Sequence, residues 1–459
     1  YKILIYAPKL FHSHLSFLGN IADTLVAAGH DVVFYMPTYD SSIRSNGTKF
    51  ARTIEYRCEL PVPYERSELF GNIWAQGIGE AIEAFYWLGR LSKIEFGACE
   101  HQLSDNNLVN RLRDENFDVA INDATALCGY ALIMKIGVKK LVSAMPISLT
   151  EKVIEPFAIT VNPSHVPVAL SRSTDLMGFW ERVYNVVGFI VISSFAETVT
   201  MPATVQLLRK YFGPGIDSTY ALNVAAQSTF LLTNGNEFID FPRPINSKLV
   251  YVSDIGIGKP HPLNEEFQKL MDSARGGVML VSMGSIVVSS RMPMDIKNAF
   301  VSSFRAFPNI TFIWKYEEDD DLGCDSQNII KKKWIPQADL LAHANMRAFL
   351  SHCGATSTSE SMRAGVPIVC IPVFFDQMQN AMKMGKHHAA VVIEKDNVTA
   401  ASISWALRSV LSDKRLYTHF EFRYSANKVG RVEQLTSNAS GMQSRNALQH
   451  FSTLFKAGG

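Results

Sequence analysis

Residues 334–377 decide the fold of this chain, and they read WIPQADLLAHANMRAFLSHCGATSTSESMRAGVPIVCIPVFFDQ. Short apolar runs alternate here with turns of small residues, which is the pattern of a parallel βαβ unit. Residues 346–354 predict a buried strand, and residues 366–374 predict a second one. Residues 356–365, between them, predict a helix that begins with hydroxyl side chains and ends at glycine.

The turns of this unit carry small and hydrogen-bonding side chains. In an open parallel sheet, ligands bind beyond the carboxyl ends of the strands. A helix that begins there offers backbone N–H groups and a partial positive charge, which suit a phosphate. The residues at that position are Ser351, His352, Gly354, Thr356 and Ser357. We therefore predict a phosphate-binding turn, although each residue taken singly also fits a role in the turn alone.

Residues on either side of this turn suit the other parts of a nucleotide sugar. Trp334 offers a flat face for a base, and Gln337 carries an amide that both donates and accepts hydrogen bonds. Asp376 and Gln377 follow the second strand and provide an acid and an amide for sugar hydroxyls. The spacing of the whole set predicts that a nucleoside diphosphate sugar binds to this half of the chain.

The same stretch resembles the donor-binding signature of the UDP-glycosyltransferases, the family that includes the animal UDP-glucuronosyl- and UDP-glucosyltransferases. The resemblance implies that Trp334 stacks on uracil, Gln337 pairs with the uridine and Glu360 holds the ribose hydroxyls. The implied phosphate contacts are Ser285, His352, Gly354 and Ser357, and the implied sugar contacts are Asp376 and Gln377. Thr356 stands where most members have Asn, so we expect a weakened or shifted sugar contact there.

The N-terminal half opens with a second Rossmann-like pattern. Residues 2–8 and 30–37 predict strands, residues 16–28 predict a helix with one apolar face, and no GxGxxG is present. His14 lies in the loop before that helix, and Asp123 ends the apolar run 117–122. Asp123 could simply cap the next helix, but the resemblance implies that it orients a catalytic His14. His12 is the alternative base.

The resemblance implies an α/β chain with the GT-B fold, in which two Rossmann-like domains face each other across a donor and acceptor cleft. We expect an N-terminal acceptor domain at residues 1–245, a C-terminal UDP-sugar domain at 246–435 and a returning helix at 436–459. The family's Pro-Arg-Pro, here residues 242–244, marks the connection. The resemblance is tight over residues 277–395 and loose over 45–110 and 150–225.

The implied reaction is one displacement with inversion, in which His14 takes the proton of an acceptor hydroxyl and UDP leaves. A neutral imidazole, with an ordinary pKa of ~6.5, can accept that proton at neutral pH. We expect no metal and no cofactor beyond the UDP-sugar, because residues 319–321 read as a solvated turn and not as a metal-binding DxD.

The expected donor is UDP-glucose. Glucuronate-using members of the family carry an Arg where Asn234 stands, and no Arg or Lys lies between Lys210 and Arg243. A UDP-glucuronosyltransferase of the same mechanism is the main alternative. A nucleotide-sugar epimerase or hydrolase on the same scaffold and a non-catalytic lipophile-binding relative are further alternatives, the last favoured by Thr356.

The acceptor is expected to be a small lipophilic alcohol or phenol, as in detoxification. Residues 55–105 are rich in aromatic side chains that suit either an apolar acceptor pocket or ordinary helix core. They are Phe70, Trp74, Phe85, Tyr86, Trp87 and Phe96. The sequence does not distinguish these two interpretations.

The composition indicates a globular protein with a substantial core. The chain has 459 residues, 47% of them hydrophobic and 19% charged, and a net charge of +1 that gives no reason to expect nucleic acid as a partner. The six cysteines are scattered without a CxxC, and we expect Cys128, Cys353 and Cys370 to be buried thiols. No run of about 18 apolar residues occurs, so no membrane-spanning helix is predicted, and residues 186–195 are too few to span a bilayer.

Four Asn-x-Ser/Thr sequons, at Asn46, Asn309, Asn397 and Asn438, fit a glycoprotein. Animal members of the family enter the endoplasmic reticulum through a cleaved signal and are held by a C-terminal membrane helix. By this resemblance we expect a lumenal protein of the endoplasmic reticulum, anchored in the full-length protein by a segment absent here. A homodimer is one option for its assembly.

Overall fold

The computed structural model describes residues 1–58, 73–74, 78–169, 171–253, 255 and 260–411. The chain divides into two compact units, the first of residues 1–72, 81–257 and 444–459 and the second of residues 73–80 and 258–443. The helix expected within residues 436–459, the sequon at Asn438 and the aromatic Phe70 lie outside the described residues.

The N-terminal unit is built on a seven-stranded sheet. Its strands are β1 Lys2–Tyr6, β2 Asp31–Thr38, β3 Arg52–Arg57, β4 Val119–Asp123, β5 Leu141–Met145, β6 Leu231–Thr233 and β7 Leu249–Tyr251. They lie in the order β3-β2-β1-β4-β5-β6-β7, and each neighbouring pair is parallel. The order reverses between β1 and β4, which makes this the switch point of a doubly wound sheet.

Helices cover both faces of this sheet, because alternate strand residues point to opposite sides. Leu4 and Tyr6 pack into one core cluster, and Ile3 and Ile5 pack into another. The helices are α1 His12–Ala27, α2 Ile78–Ser104, α3 Asn106–Asp114, α4 Leu127–Ile136, α5 Glu151–Ile154, α6 Phe179–Phe195, α7 Met201–Phe212 and α8 Ser218–Ala226. Because α1 begins before residue 16, His14 lies in its first turn and not in the predicted loop.

Helices α6 and α7 are joined by a π-helical turn, Ala196–Thr200, into one helix of 34 residues. By length and composition this helix could cross a membrane, and none of its apolar window is buried. The uninterrupted apolar run at residues 186–195 alone is too short to span a bilayer. The helix continues beyond that run at both ends and reaches 34 residues, which is long enough, so the sequence prediction of no spanning helix does not hold on length.

The C-terminal unit is built on a six-stranded sheet. Its strands are β8 Val278–Ser282, β9 Thr311–Lys315, β10 Ile329–Lys332, β11 Met346–Ser351, β12 Ile368–Cys370 and β13 Ala390–Val392. They lie in the order β10-β9-β8-β11-β12-β13, again parallel, with the reversal between β8 and β11. The helices are α9 Glu265–Ser273, α10 Met294–Arg305, α11 Gln337–Leu341, α12 Ala355–Ala364, α13 Gln377–Lys386 and α14 Ala400–Leu411.

The βαβ unit predicted from residues 334–377 is present as β11, α12 and β12. Helix α12 ends at Gly365, whose φ of 64° is the left-handed conformation that favours glycine. The second strand ends at Cys370, earlier than predicted. The reason is that the N–H groups of Val373 and Phe374 donate to the Gln377 side chain instead of continuing the sheet.

The aromatic residues of the segment 55–105 serve the core at three positions. Trp87 is buried, Phe96 packs against the core of the N-terminal unit, and Trp74 is 7% exposed within the core of the C-terminal unit. Phe85 contacts Phe195 of α6, with 4.8 Å between ring centroids. The structure therefore favours the helix-core interpretation for Trp87 and Phe96, while Trp74 is a core residue in a turn.

The cysteines differ from the sequence prediction of buried thiols. Cys99 of α2 is bonded to Cys128 of α4, and Cys353 is bonded to Cys370. The Cα atoms of these pairs are 5.3 and 5.5 Å apart, within the usual range for a disulfide. Packing of α2 against α4 and the pairing of β11 with β12 create these contacts, which sequence separations of 29 and 17 residues do not reveal.

Trp74→Ala is expected to lower the free energy of unfolding by about 3–5 kcal/mol, because truncation of a buried tryptophan leaves a cavity in the core. Urea denaturation followed by circular dichroism would measure this. Trp180→Ala is the matched control, since the Trp180 side chain is 67% exposed and its loss should change stability by less than about 0.5 kcal/mol. Equal losses in both variants would contradict the core position of Trp74.

Candidate active site

The first polar cluster lies at the switch point of the N-terminal sheet, at the carboxyl ends of β1 and β4. His14 Nδ1 is 2.9 Å from Asp123 Oδ2, and the two side chains are 9% and 0% exposed. The hydrogen bond fixes the imidazole by one ring nitrogen. His12, the alternative base, contacts the hydroxyl of Ser16 through Nδ1 at 3.4 Å. Of the two histidines, His14 is the one whose hydrogen bond to the buried Asp123 side chain is seen.

The second oxygen of Asp123 stabilises its own turn. Oδ1 accepts hydrogen bonds from the backbone N–H of Thr125 at 2.9 Å and from its hydroxyl at 2.7 Å. Asp123 does not cap α4, where Ala126 occupies the N-cap position. Glu95 of α2 supplies the cap, because its Oε1 accepts from the Leu127 N–H at 2.8 Å. Burial raises the pKa of Glu95 to about 7.

The second polar cluster lies at the switch point of the C-terminal sheet, at the carboxyl ends of β8 and β11. The ring of His352 packs so closely on Gly284 and Gly354 that a Cβ on either glycine would lie 2.6 Å from it. Gly284 also has φ +84°, and Ser285 follows it in the turn after β8. Both glycines are therefore needed to seat the imidazole. Burial lowers the pKa of His352 to about 4, so the ring is neutral at pH 7.

Helix α12 begins directly after this turn. Thr356 in its first turn is exposed, whereas Ser357 is buried. Gln337 of α11 donates through Nε2 to Ser357 Oγ at 3.1 Å and to Glu360 Oε2 at 2.6 Å. Burial raises the pKa of Glu360 to about 7. The structure thus brings together Gln337, Ser357 and Glu360, three of the residues that the sequence selected.

A lysine that the sequence analysis missed lies beside this cluster. Lys315, the last residue of β9, is 8% exposed and donates through Nζ to the Gly284 carbonyl at 2.8 Å and to Glu317 Oε1 at 2.9 Å. Its Nζ is 6.0 Å from the ring centroid of Trp334, whose side chain is 65% exposed. The feature of the sequence that could have indicated Lys315 as a site residue is a charged side chain at the end of an otherwise buried strand.

Asp376 and Gln377 lie at the start of α13, beyond β12, and both are buried. Gln377 Oε1 accepts from the backbone N–H groups of Val373 at 2.9 Å and Phe374 at 3.2 Å. Asp376 Oδ2 accepts from Asn380 Nδ2 at 3.0 Å. Gln377 therefore stabilises the turn at the carboxyl end of β12, and Asp376 bonds within the first turn of α13, at the edge at which the sequence predicted both.

Asn234 follows β6 in the N-terminal unit and is 9% exposed. Its Nδ2 donates to the Pro146 carbonyl at 3.0 Å, and its backbone N–H donates to the Met145 carbonyl at 3.0 Å. Asn234 therefore connects the ends of β5 and β6.

Relatives of known class match nearly the whole chain. Residues 2–426 match the family described as UDP-glucoronosyl and UDP-glucosyl transferase. The chain is 28% identical to UDP-glucuronosyltransferase 1A1 of Homo sapiens, over 92% of this chain and 78% of that protein. It is 27% identical to 2-hydroxyacylsphingosine 1-beta-galactosyltransferase of Rattus norvegicus, over 94% of this chain and 76% of that protein.

Solved structures share the fold. The glycotransferase of kitacinnamycin superimposes with a TM-score of 0.65 at 18% identity, over 97% of this chain and 98% of that chain. Phytolacca americana UGT2, complexed with UDP-2fluoro-glucose and pterostilbene, superimposes with a TM-score of 0.59 at 16% identity, over 94% of each chain. The predicted GT-B fold is confirmed. Together with the family match, this shows that the chain belongs to the UDP-glucuronosyl and UDP-glucosyl transferase family and is a UDP-glycosyltransferase.

Proposed function

We propose that this enzyme transfers glucose from UDP-glucose to a hydroxyl group of a small lipophilic acceptor, with inversion at the anomeric carbon. The observation that carries the proposal is the 2.9 Å hydrogen bond between His14 Nδ1 and Asp123 Oδ2. A carboxylate that accepts the Nδ1 proton favours the tautomer in which Nε2 has a lone pair. Nε2 of His14 is then able to accept a proton.

The proposed reaction is a single displacement. The acceptor hydroxyl gives its proton to His14 Nε2 while its oxygen forms a bond to the anomeric carbon. The bond between that carbon and the β-phosphate oxygen breaks, and UDP leaves with the electron pair. Asp123 stabilises the imidazolium that forms. One displacement inverts the anomeric centre, so an α-linked donor gives a β-glycoside.

The donor is proposed to bind the C-terminal unit. Trp334 would stack on the uracil, and Gln337 and Glu360 would hold the uridine, a role supported by the hydrogen bond between them. Ser285, Gly354 and Ser357 would contact the phosphates, and Thr356, Asp376 and Gln377 the sugar.

The charge of the leaving diphosphate is proposed to be stabilised by hydrogen bonds. His352 is neutral at pH 7 because burial lowers its pKa to about 4, so it would contribute an N–H donor and not a positive charge. The backbone N–H groups at the N-terminus of α12 would add further donors and a partial positive charge. We propose that no metal ion takes part.

UDP-glucose is the preferred donor in this proposal because a neutral amide, Asn234, stands where an Arg would pair with a sugar carboxylate. UDP-glucuronate is the second candidate, and the similarity to a UDP-glucuronosyltransferase of Homo sapiens favours it. For the acceptor, a small phenol or alcohol is supported by the solved structure of Phytolacca americana UGT2 with pterostilbene, a phenol.

The protein is proposed to reside in the lumen of the endoplasmic reticulum, held at the membrane. Two disulfides fit an oxidising compartment. Three sequon asparagines within the described residues, Asn46, Asn309 and Asn397, are exposed and so accessible to glycosylation.

His14→Ala is expected to lower kcat by about 10²–10⁴-fold, the usual contribution of a general base. UDP affinity should be unchanged, because the proposed donor contacts are elsewhere. Release of UDP in the presence of phenols would measure kcat, and calorimetry would measure UDP affinity. His12→Ala, two residues away on the same helix, is the matched control and should retain activity. The opposite ranking of the two variants would show that the base is misassigned.

UDP-glucose affinity is expected to rise with pH and to level off above about pH 7. Burial holds the pKa of Glu360 at about 7 in the free protein, whereas ribose hydroxyls that donate to the carboxylate would lower it. Binding below pH 7 therefore releases a proton, and affinity falls by up to about tenfold for each unit decrease in pH.

Calorimetry with UDP-glucose tests this, because the diphosphate of UDP-glucose has no group that titrates near pH 7. Glu360→Gln is the control variant, and it should bind more weakly with affinity independent of pH between 5.5 and 8. An unchanged pH dependence in that variant would exclude Glu360 as the ribose ligand.

With one phenolic acceptor, kcat/KM for UDP-glucose is expected to exceed that for UDP-glucuronate by at least about tenfold, since a buried carboxylate without a cation is strongly disfavoured. Assays of UDP release with both donors side by side would measure the ratio. A preference for UDP-glucuronate would mean that a cationic side chain at another position binds the carboxylate of the glucuronate.

A further inference from the structure

We infer that the disulfide between Cys353 and Cys370 is a positioning element of the donor site, which holds the phosphate-binding turn in the conformation needed to bind a nucleoside diphosphate. The inference rests on the proposed donor site. Cys353 lies between His352 and Gly354, the two residues of this turn that pack on each other. Cys370 is the last residue of β12, the strand beside β11.

The backbone of Cys353 is in an unfavourable conformation. Its φ is 60°, in the left-handed region that residues other than Gly, Asn and Asp rarely adopt. Its N–H donates to Ser351 Oγ at 3.2 Å, which stabilises the turn from one side only. A residue held in such a conformation persists where its surroundings impose it.

The disulfide is the contact that imposes this conformation from the other side. Cys370 is fixed in the sheet, where its register partner is Ser351 at the end of β11. Both cysteines are 0% exposed, so the bond lies inside the unit beneath the turn. It links the turn to a rigid strand at the point where an L residue would otherwise relax toward negative φ.

A change of the Cys353 φ angle to a negative value would displace both neighbouring residues, His352 and Gly354. The His352 ring fits between Gly284 and Gly354 with no space for even one extra carbon atom. Rotation of the Cys353 backbone would move the ring against these glycines and would redirect the N–H groups that begin α12. Donor affinity therefore depends on the disulfide, although neither sulfur touches the donor.

The test compares two variants that both lack the bond. C353S/C370S leaves an L residue at φ +60°, whereas C353G/C370S places glycine there, which adopts this conformation without penalty. We expect the Kd for UDP, measured by calorimetry on the full chain, to rise about tenfold in C353S/C370S and to return to within about threefold of the original value in C353G/C370S. KM for the UDP-sugar should follow the Kd, while kcat changes less.

The control is C58S/C324S, which removes the two free cysteines of the described residues and should bind UDP as the unmodified chain does.

If the disulfide only stabilised the fold, both variants that lack it would lose UDP affinity equally, and that result would overturn the inference. Unchanged UDP affinity in C353S/C370S would also overturn it. If C353S/C370S does not fold, C353G/C370S still decides, because weak UDP binding by that folded variant contradicts the inference. Absence of UDP binding by the unmodified chain would instead refute the donor site itself, and the inference with it.

Discussion

The reversal of strand order within each parallel sheet is the constraint on which both polar clusters depend. Connections to the left and right of the reversal run over opposite faces, so the loops that leave the two central strands diverge and leave a crevice. In the N-terminal unit this brings together His14 and Asp123, which are 109 residues apart in sequence and 2.9 Å apart in space. In the C-terminal unit it brings together the turn after β8 and the turn after β11.

Burial then decides which of those polar groups are charged. A group removed from water favours its neutral form unless a partner compensates it. His352 and Glu360 follow this rule, with a pKa of about 4 for the imidazole and about 7 for the carboxyl. Asp123, although 0% exposed, has a hydrogen-bond partner on each oxygen, His14 on one and Thr125 on the other. The cluster at the ends of β1 and β4 thus contains a buried carboxyl group with a hydrogen-bond partner on each oxygen, whereas burial favours the neutral forms of His352 and Glu360 in the C-terminal unit.

Local pattern sufficed to predict several strands of each sheet and the position of several selected residues at the carboxyl ends of strands. The βαβ unit at residues 334–377 and the position of Asp123 at the end of β4 follow from apolar period and turn chemistry. Strands β3, β5, β10 and β13 were not predicted; β3, β10 and β13 are only partly buried, which gives a weak apolar pattern. The disulfides, the capping of α4 by Glu95 and the burial of Trp74 depend on contacts between distant segments. No local pattern encodes such contacts.

The turns after β8 and β11, the two central strands of the C-terminal sheet, both require a residue with positive φ, and they stabilise it in different ways. After each of these two strands the backbone bends sharply and comes close to the His352 ring. In each turn one residue adopts a positive φ, Gly284 with 84° and Cys353 with 60°. Glycine adopts that region freely but loses more conformational entropy on folding. Cysteine does not adopt it freely, and here a covalent bond to the neighbouring strand maintains it. The same backbone geometry is therefore set by residue type on one side of the imidazole and by a cross-link on the other.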